Sequence, residues 1–181
     1  MITLGALMGF FLFSGASMAK PSPAPDLPSY TVALTAYNAV PEQTSSHPLV
    51  TASGAYSNPE VIAARSQDFG KELPFGTIIE LDGSNITSKY TCGYDVVKPH
   101  IGYRVIGDVL NKVYTKRIDI LLDTKTNYTA ADGSQINAAR VLGICKDVTI
   151  RIVGFVDIKN IPDTQAELTA LVEKNNSLAF K

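Results

Sequence analysis

Residues 103–123 read YRVIGDVLNKVYTKRIDILLD and contain two short apolar runs, each carrying one acid. Asp108 ends the first run, Val105-Ile106-Gly107-Asp108. Asp119 sits inside the second, Arg117-Ile118-Asp119-Ile120-Leu121-Leu122. The acids are eleven positions apart, and the connection between them is polar, with Asn111, Lys112 and Lys116. Ile118, Ile120 and Leu122 share one face of a period-two strand, so Asp119 points to the other face with Arg117 and Leu121. Two readings follow. Asp119 lines a groove and does chemistry, or it is a solvated residue on a half-buried strand. Patterning alone favours the second, because most charges on strands face water.

The chain has 181 residues, enough for one domain with a core plus tails. Apolar residues make up 45% and charged residues 18%, which excludes wholesale disorder. A formal net charge of −1 gives no electrostatic case for nucleic acid or an anionic membrane surface.

The N-terminus reads as an export signal over 1–19. Leu4 to Phe13 is apolar but short for a bilayer span. Ser17 and Ala19 suit the small-residue positions before a cleavage point, although no Lys or Arg precedes the apolar run. Retention of this segment as an anchor is the alternative, and it is the one membrane contact expected. The expected location is the periplasm or cell envelope, with outer-membrane association open. Pro21, Pro23, Pro25 and Pro28 make 20–29 a stiff linker. The folded domain is placed at 30–158 and a helical tail at 159–181.

The only cysteines are Cys92 and Cys145. They pair in an oxidising compartment or stand as separate buried thiols, and export favours pairing. A loop of that size contributes about 4 kcal/mol by the chain-entropy model. Two His and two Cys, scattered singly, show no metal-ligand spacing, so no metal and no cofactor are expected.

Strands are predicted at 30–37, 49–53, 61–65, 77–81, 102–108, 116–122 and 148–156. A helix is predicted within 130–142, ending at Gly143. Thr164-Gln165-Ala166-Glu167 has capping-box spacing and opens a helix ending near Asn175. Short strands at this rhythm indicate a small barrel or sandwich.

The order of elements resembles a known family. Thr35-Ala36-Tyr37 closes a strand, and Thr51-Ala52-Ser53-Gly54 follows a polar loop. Val61-Ile62-Ala63-Ala64 precedes Leu73-Pro74-Phe75-Gly76-Thr77, and the two acidic runs come next. This resembles the 3D (three-aspartate) domain of membrane-bound lytic transglycosylase A and the barrel of rare lipoprotein A, over roughly 32–156. The resemblance implies a mainly β fold, a six-stranded double-psi β-barrel with short peripheral helices. It implies a peptidoglycan lytic transglycosylase that cleaves the β-1,4 bond between N-acetylmuramic acid and N-acetylglucosamine. Asp119 aligns with the family's single acid/base, and Asp108 with a second aspartate that orients substrate or raises the pKa of Asp119. Tyr37, Thr51, Ser53, Gly54 and Arg65 are the implied substrate contacts, with peptidoglycan glycan strands as partner. Arg117 would lower the pKa of an acid it paired with, against the general-acid role.

There are departures. Arg65 stands where the family's first aspartate is expected, and Val109-Leu110-Asn111 replaces a Gly-rich segment. Arg65 would bind a stem-peptide carboxylate, pair with Asp108, or mark a barrel that binds glycan without cutting it. A noncatalytic peptidoglycan-binding or envelope-structural barrel is therefore the alternative.

Overall fold

The computed structural model describes residues 28–88 and 90–179. The expected export signal and most of the Pro-rich linker lie outside them. Eight strands and three α-helices follow in chain order: β1 (Ser29–Tyr37), β2 (Ile62–Arg65), β3 (Thr77–Asp82), α1 (Tyr94–Val97), β4 (Arg104–Val109), β5 (Arg117–Leu121), β6 (Asn127–Thr129), β7 (Gln135–Asn137), α2 (Ala138–Leu142), β8 (Cys145–Phe155) and α3 (Gln165–Ala179). Six strands close into a barrel in the order β1-β5-β2-β4-β3-β8, and β6 pairs with β7 in a separate hairpin. The pairs β1·β5 and β2·β4 are parallel; the other barrel pairs are antiparallel.

Alternation along the strands builds two apolar layers. Val32, Leu34, Ile79, Ile106, Ile118 and Ile120 belong to one buried cluster drawn from every barrel strand, which is the barrel interior. The opposite faces carry Tyr37, Ile62, Ala64, Val105 and Leu121, in a second cluster with Leu168 and Val172 of α3. Helix α3 thus roofs part of the outer wall, and each fully buried aliphatic side chain stabilises by about 1.5–3 kcal/mol. Its start is a capping box: the Glu167 amide donates to Thr164 Oγ1 at 3.2 Å, and the Thr164 amide donates to Glu167 Oε2 at 3.2 Å.

Arg104 is 1% exposed. Its guanidinium donates to five carbonyls, those of Ile101 (2.6 Å), Pro59 (2.7 Å), Leu121 (3.1 Å), Ile62 (3.4 Å) and His100. Burial pushes its pKa below the usual arginine range. One side chain therefore ties β4 to the chain at the ends of β2 and β5, the two strands that carry the site.

Several boundaries differ from expectation. The predicted strand over 49–53 is a turn closed by a single bridge, Val50 to Tyr56. Its backbone bonds are spent locally, with the Thr51 amide donating to Ala55 O at 2.9 Å. The helix predicted within 130–142 is present as α2, ending at Gly143, but it is short, and the residues ahead of it form the β6–β7 hairpin. Gly133, at φ +82°, reverses the chain, and the Asn137 side chain caps α2 at 2.9 Å. Strand β8 starts at Cys145 rather than 148, and α3 runs past Asn175 to Ala179. Cys92 and Cys145 are joined by a disulfide. Among the described residues no helix is long and apolar enough to cross a membrane.

Gly76 supplies a turn that no other residue fits. It has φ +92°, and a Cβ there would lie 2.2 Å from the Val156 carbonyl oxygen. Its own amide donates to Ile106 O at 2.8 Å. Gly76→Ala is expected to cost about 2 kcal/mol or more, because backbone cannot yield as a side chain would. A urea midpoint unchanged from the parent would contradict this. The double variant Cys92→Ala/Cys145→Ala is expected to lose about 2–4 kcal/mol in the same measurement.

Candidate functional site

Four residues lie in one row across four adjacent strands. Thr35 of β1 pairs with Asp119 of β5, Asp119 with Ala64 of β2, and Ala64 with Asp108 of β4. Ala64 therefore separates the two acids, and their backbones are two strand spacings apart, roughly 10 Å. A larger residue at Ala64 would stand between the carboxyls.

Strict alternation would turn Asp108 to the same side as Ile106, into the apolar interior. A β-bulge prevents this. Ala63 pairs with Ile106, but Ala64 pairs with Asp108, so Gly107 is the extra residue. A Cβ on Gly107 would come 2.9 Å from Ile62 Cδ1, and its carbonyl accepts the Ser53 amide at 3.1 Å. The bulge turns Asp108 outward beside Ala64.

Both acids open into a cleft of about 770 Å³. Its lining includes Tyr37, Thr51, Gln67, Asn111 and Tyr114. Among the described lining residues there is no Lys, Arg or His. A smaller cavity of about 310 Å³ lies by Glu80, Lys98 and Gln165, and neither acid reaches it.

The two carboxyls are held differently. Asp108 accepts from the Tyr37 hydroxyl at 3.0 Å on Oδ2, and from the amides of Ala52 and Val109 at 2.9 Å each on Oδ1. Those three bonds fix its position. Burial first, and then the Asp108 charge, hold the Tyr37 phenol protonated far above its usual range.

Asp119 Oδ1 is buried and has no hydrogen-bond partner, and neither has the neighbouring Thr35 Oγ1. Burial is the main cause that raises the Asp119 pKa from 3.8 to about 6. Asp108 adds to the rise, while Thr35 and Arg117 oppose it. The Thr35 hydroxyl lies near enough to favour the carboxylate without completing a hydrogen bond in this geometry.

The other expected contacts divide. Tyr37 and Thr51 line the cleft; Ser53, Gly54 and Arg65 do not. Ser53 supports Thr51 instead. Thr51 Oγ1 donates to Ala55 O at 3.1 Å, which leaves the Ser53 hydroxyl to donate to Thr51 Oγ1 at 3.0 Å. Gly54 has φ +85° with open space around it, so it shapes the turn and does not make room for a close approach. Arg65 faces the other way from Ala64. Its guanidinium lies 5.4 Å from the Phe75 ring centroid and donates to Ser66 O at 3.4 Å. The ion pairs found among the described residues join Arg151 to Glu80 and Asp82, and none joins Arg65 to Asp108 or Arg117 to Asp119. Arg117 stacks on Tyr114, with its guanidinium carbon 4.5 Å from the ring centroid.

Sequence reasoning missed Gln67, Asn111 and Tyr114, which the folding of separate loops brings to the cleft. It also missed the Ala52 amide, which no side-chain pattern reports. Among the described residues no cluster of His, Cys, Asp and Glu is placed to hold a metal ion. No family model and no curated protein matches the chain.

An acid whose pKa rises on folding stabilises the protonated native state at low pH and weakens it as pH climbs. Between pH 3.8 and about 6 the protein is expected to lose up to about 3 kcal/mol through Asp119. Asp119→Asn does not titrate and escapes this loss. Its urea midpoint is expected to gain on the parent's between pH 3.8 and about 6 and to hold that gain at higher pH. A gap that stays constant with pH would rule out the buried-acid account.

Proposed function

We propose that the protein is a peptidoglycan lytic transglycosylase of the 3D-domain type, with Asp119 as its single general acid and base. The observation that carries this reading is Asp119 itself, a half-buried carboxyl with one buried, unpartnered oxygen and a pKa raised to about 6, on a cleft of about 770 Å³. The parallel pairs β1·β5 and β2·β4 in a closed six-stranded barrel support the double-psi path that the resemblance implies.

In this mechanism protonated Asp119 donates its proton to the glycosidic oxygen as the bond to the muramic anomeric carbon breaks. The N-acetylglucosamine side leaves as an alcohol. Asp119, now a carboxylate, takes the proton of the muramic 6-hydroxyl as that oxygen bonds to the anomeric carbon. A 1,6-anhydro ring closes, and Asp119 is protonated again. No water enters the balance. The two-carboxylate scheme of most glycosidases needs a second acid free to act. Asp108 has both oxygens engaged, one of them by two backbone amides, which suits an electrostatic and positioning role. Burial is what chiefly opposes ionisation of Asp119, and the Asp108 charge adds to it.

The protein is placed outside the cytoplasm, in the periplasm or cell envelope, a reading that rests on the apolar N-terminal run and agrees with the disulfide. Arg65 in place of the family's first aspartate favours a second reading, a barrel that binds glycan strands without cutting them.

Purified sacculi separate the two. The folded domain is expected to release 1,6-anhydro muropeptides, with rates falling about tenfold per pH unit above about 6. Asp119→Asn is expected to abolish product while keeping sacculus binding. Well-folded parent protein that binds sacculi and yields no anhydro product across a broad pH range would establish the binding-only reading.

A further inference from the structure

We propose that Tyr114 is a stacking platform for one saccharide ring of the glycan strand, oriented by Arg117 and flanking the glycosidic bond that Asp119 protonates. The proposal rests on the glycan reading of the cleft and names how that cleft grips its ligand.

Cleft chemistry comes first. With no cation in its described lining, the cleft offers nothing to anchor an anionic group. Its polar members besides the two acids are neutral, such as Gln43, Thr44, Gln67 and Asn111. Neutral donors and acceptors suit hydroxyl and acetamide groups. Such a site holds a sugar by hydrogen bonds plus contact between the ring's C–H face and an aromatic plane.

Two aromatic side chains line the cleft, Tyr37 and Tyr114. Tyr37 is buried, and its hydroxyl is committed to Asp108. Tyr114 is 41% exposed, so it is the aromatic surface within a ligand's reach. Val113 beside it is also exposed.

The ring is preorganised. The Arg117 guanidinium sits 4.5 Å from its centroid, and Arg117 Nε is buried without a hydrogen-bond partner. A guanidinium over a ring face is attracted to it and favours that orientation of the ring. The loop itself is fastened at both ends. The Leu110 amide donates to Arg65 O at 2.9 Å and the Lys116 amide to Asp68 Oδ2 at 2.9 Å, while within the loop the Tyr114 amide closes a turn on Asn111 O at 3.0 Å. Lys116 takes φ +48°, which bends the chain into β5. A rigid aromatic surface loses little freedom when a sugar settles on it. Arg117 and Asp119 lie on the same face of β5, so the ring above Arg117 flanks the acid.

The test measures binding apart from turnover. Asp119→Asn protein, which cannot complete the proposed reaction, is co-sedimented with sacculi and titrated calorimetrically with soluble amidase-stripped glycan strands. In that background Tyr114→Ala is expected to weaken binding about tenfold. Tyr114→Phe keeps the plane and is expected to restore affinity to within about twofold. In the active protein Tyr114→Ala should raise KM, while Tyr114→Phe, which keeps Arg117 on the ring, should leave both KM and the alkaline limb of the pH profile where they were. Far-UV circular dichroism establishes that each variant is folded. The platform is overturned if Tyr114→Ala binds like its parent, if Tyr114→Phe loses as much as Tyr114→Ala, or if the folded parent binds neither polymer. Loss of binding in Tyr114→Ala from a parent that makes no anhydro product would sink the enzymatic reading and leave the platform standing. Normal KM and binding in Tyr114→Ala with anhydro product formed would do the reverse.

Discussion

A single extra residue, Gly107, governs the site. Without its bulge β4 would alternate regularly, and Asp108 would enter the layer that holds Ile106 and Ile118. An ionised carboxyl in that layer, with no partner, would cost several kcal/mol. With the bulge, Asp108 leaves the interior and meets three donors: one hydroxyl and two amides. The same residue docks the loop carrying Thr51 and Ala52, because Ser53 donates to the Gly107 carbonyl. Strand geometry and loop placement therefore depend on one glycine, and the bulge aims a side chain as bulges beside functional sites do.

The outer wall of the barrel is shared between two uses. Where α3 lies, Leu168 and Val172 cover Ile62, Val105 and Leu121, and that surface is core. Beyond the helix the same wall carries the Thr35, Asp119, Ala64, Asp108 row, and there it is open. Arg104 ties β2 and β5, which carry part of that row, to β4 through the carbonyls of Ile62 and Leu121. The site strands are thus anchored by a group that touches neither acid. Rigid strands position side chains more closely than loops do, which suits a carboxyl that must both give and recover a proton.

The two aspartates show how environment separates like groups. Asp108 is saturated with donors, and Asp119 has an oxygen that nothing satisfies. Burial pushes the second towards neutrality, while Arg117, the nearest candidate to hold it down, is turned onto Tyr114. The guanidinium still opposes the rise, but without a direct ion pair it does not prevail. In the proposed reaction this division gives one acid with a mobile proton and one fixed charge beside it.

The sequence by itself determined a mainly β fold of short strands, a barrel or a sandwich, because period-two alternation in runs such as Val148–Val153 suits half-buried strands and little else. It also marked the capping box at Thr164 and Asp119 as an acid turned away from Ile118 and Ile120. These are local matters, written in a few consecutive residues. The loop over 49–53 and the hairpin ahead of α2 misled it, since short apolar or periodic stretches carry no record of whether a partner strand exists. Which residues share the cleft was decided by tertiary structure alone. Alternation predicts the face of Asp119, but the face of Asp108 depends on a register shift against β2, a relation between strands more than forty residues apart. Arg65 likewise follows Ala64 in the chain and yet leaves the cleft, because neighbours on a strand point to opposite sides. Burial of Asp119, and with it the chemistry proposed for it, exists only once β1, β2 and the loop bearing Tyr114 close around it, since a pKa reports surroundings and a sequence lists none.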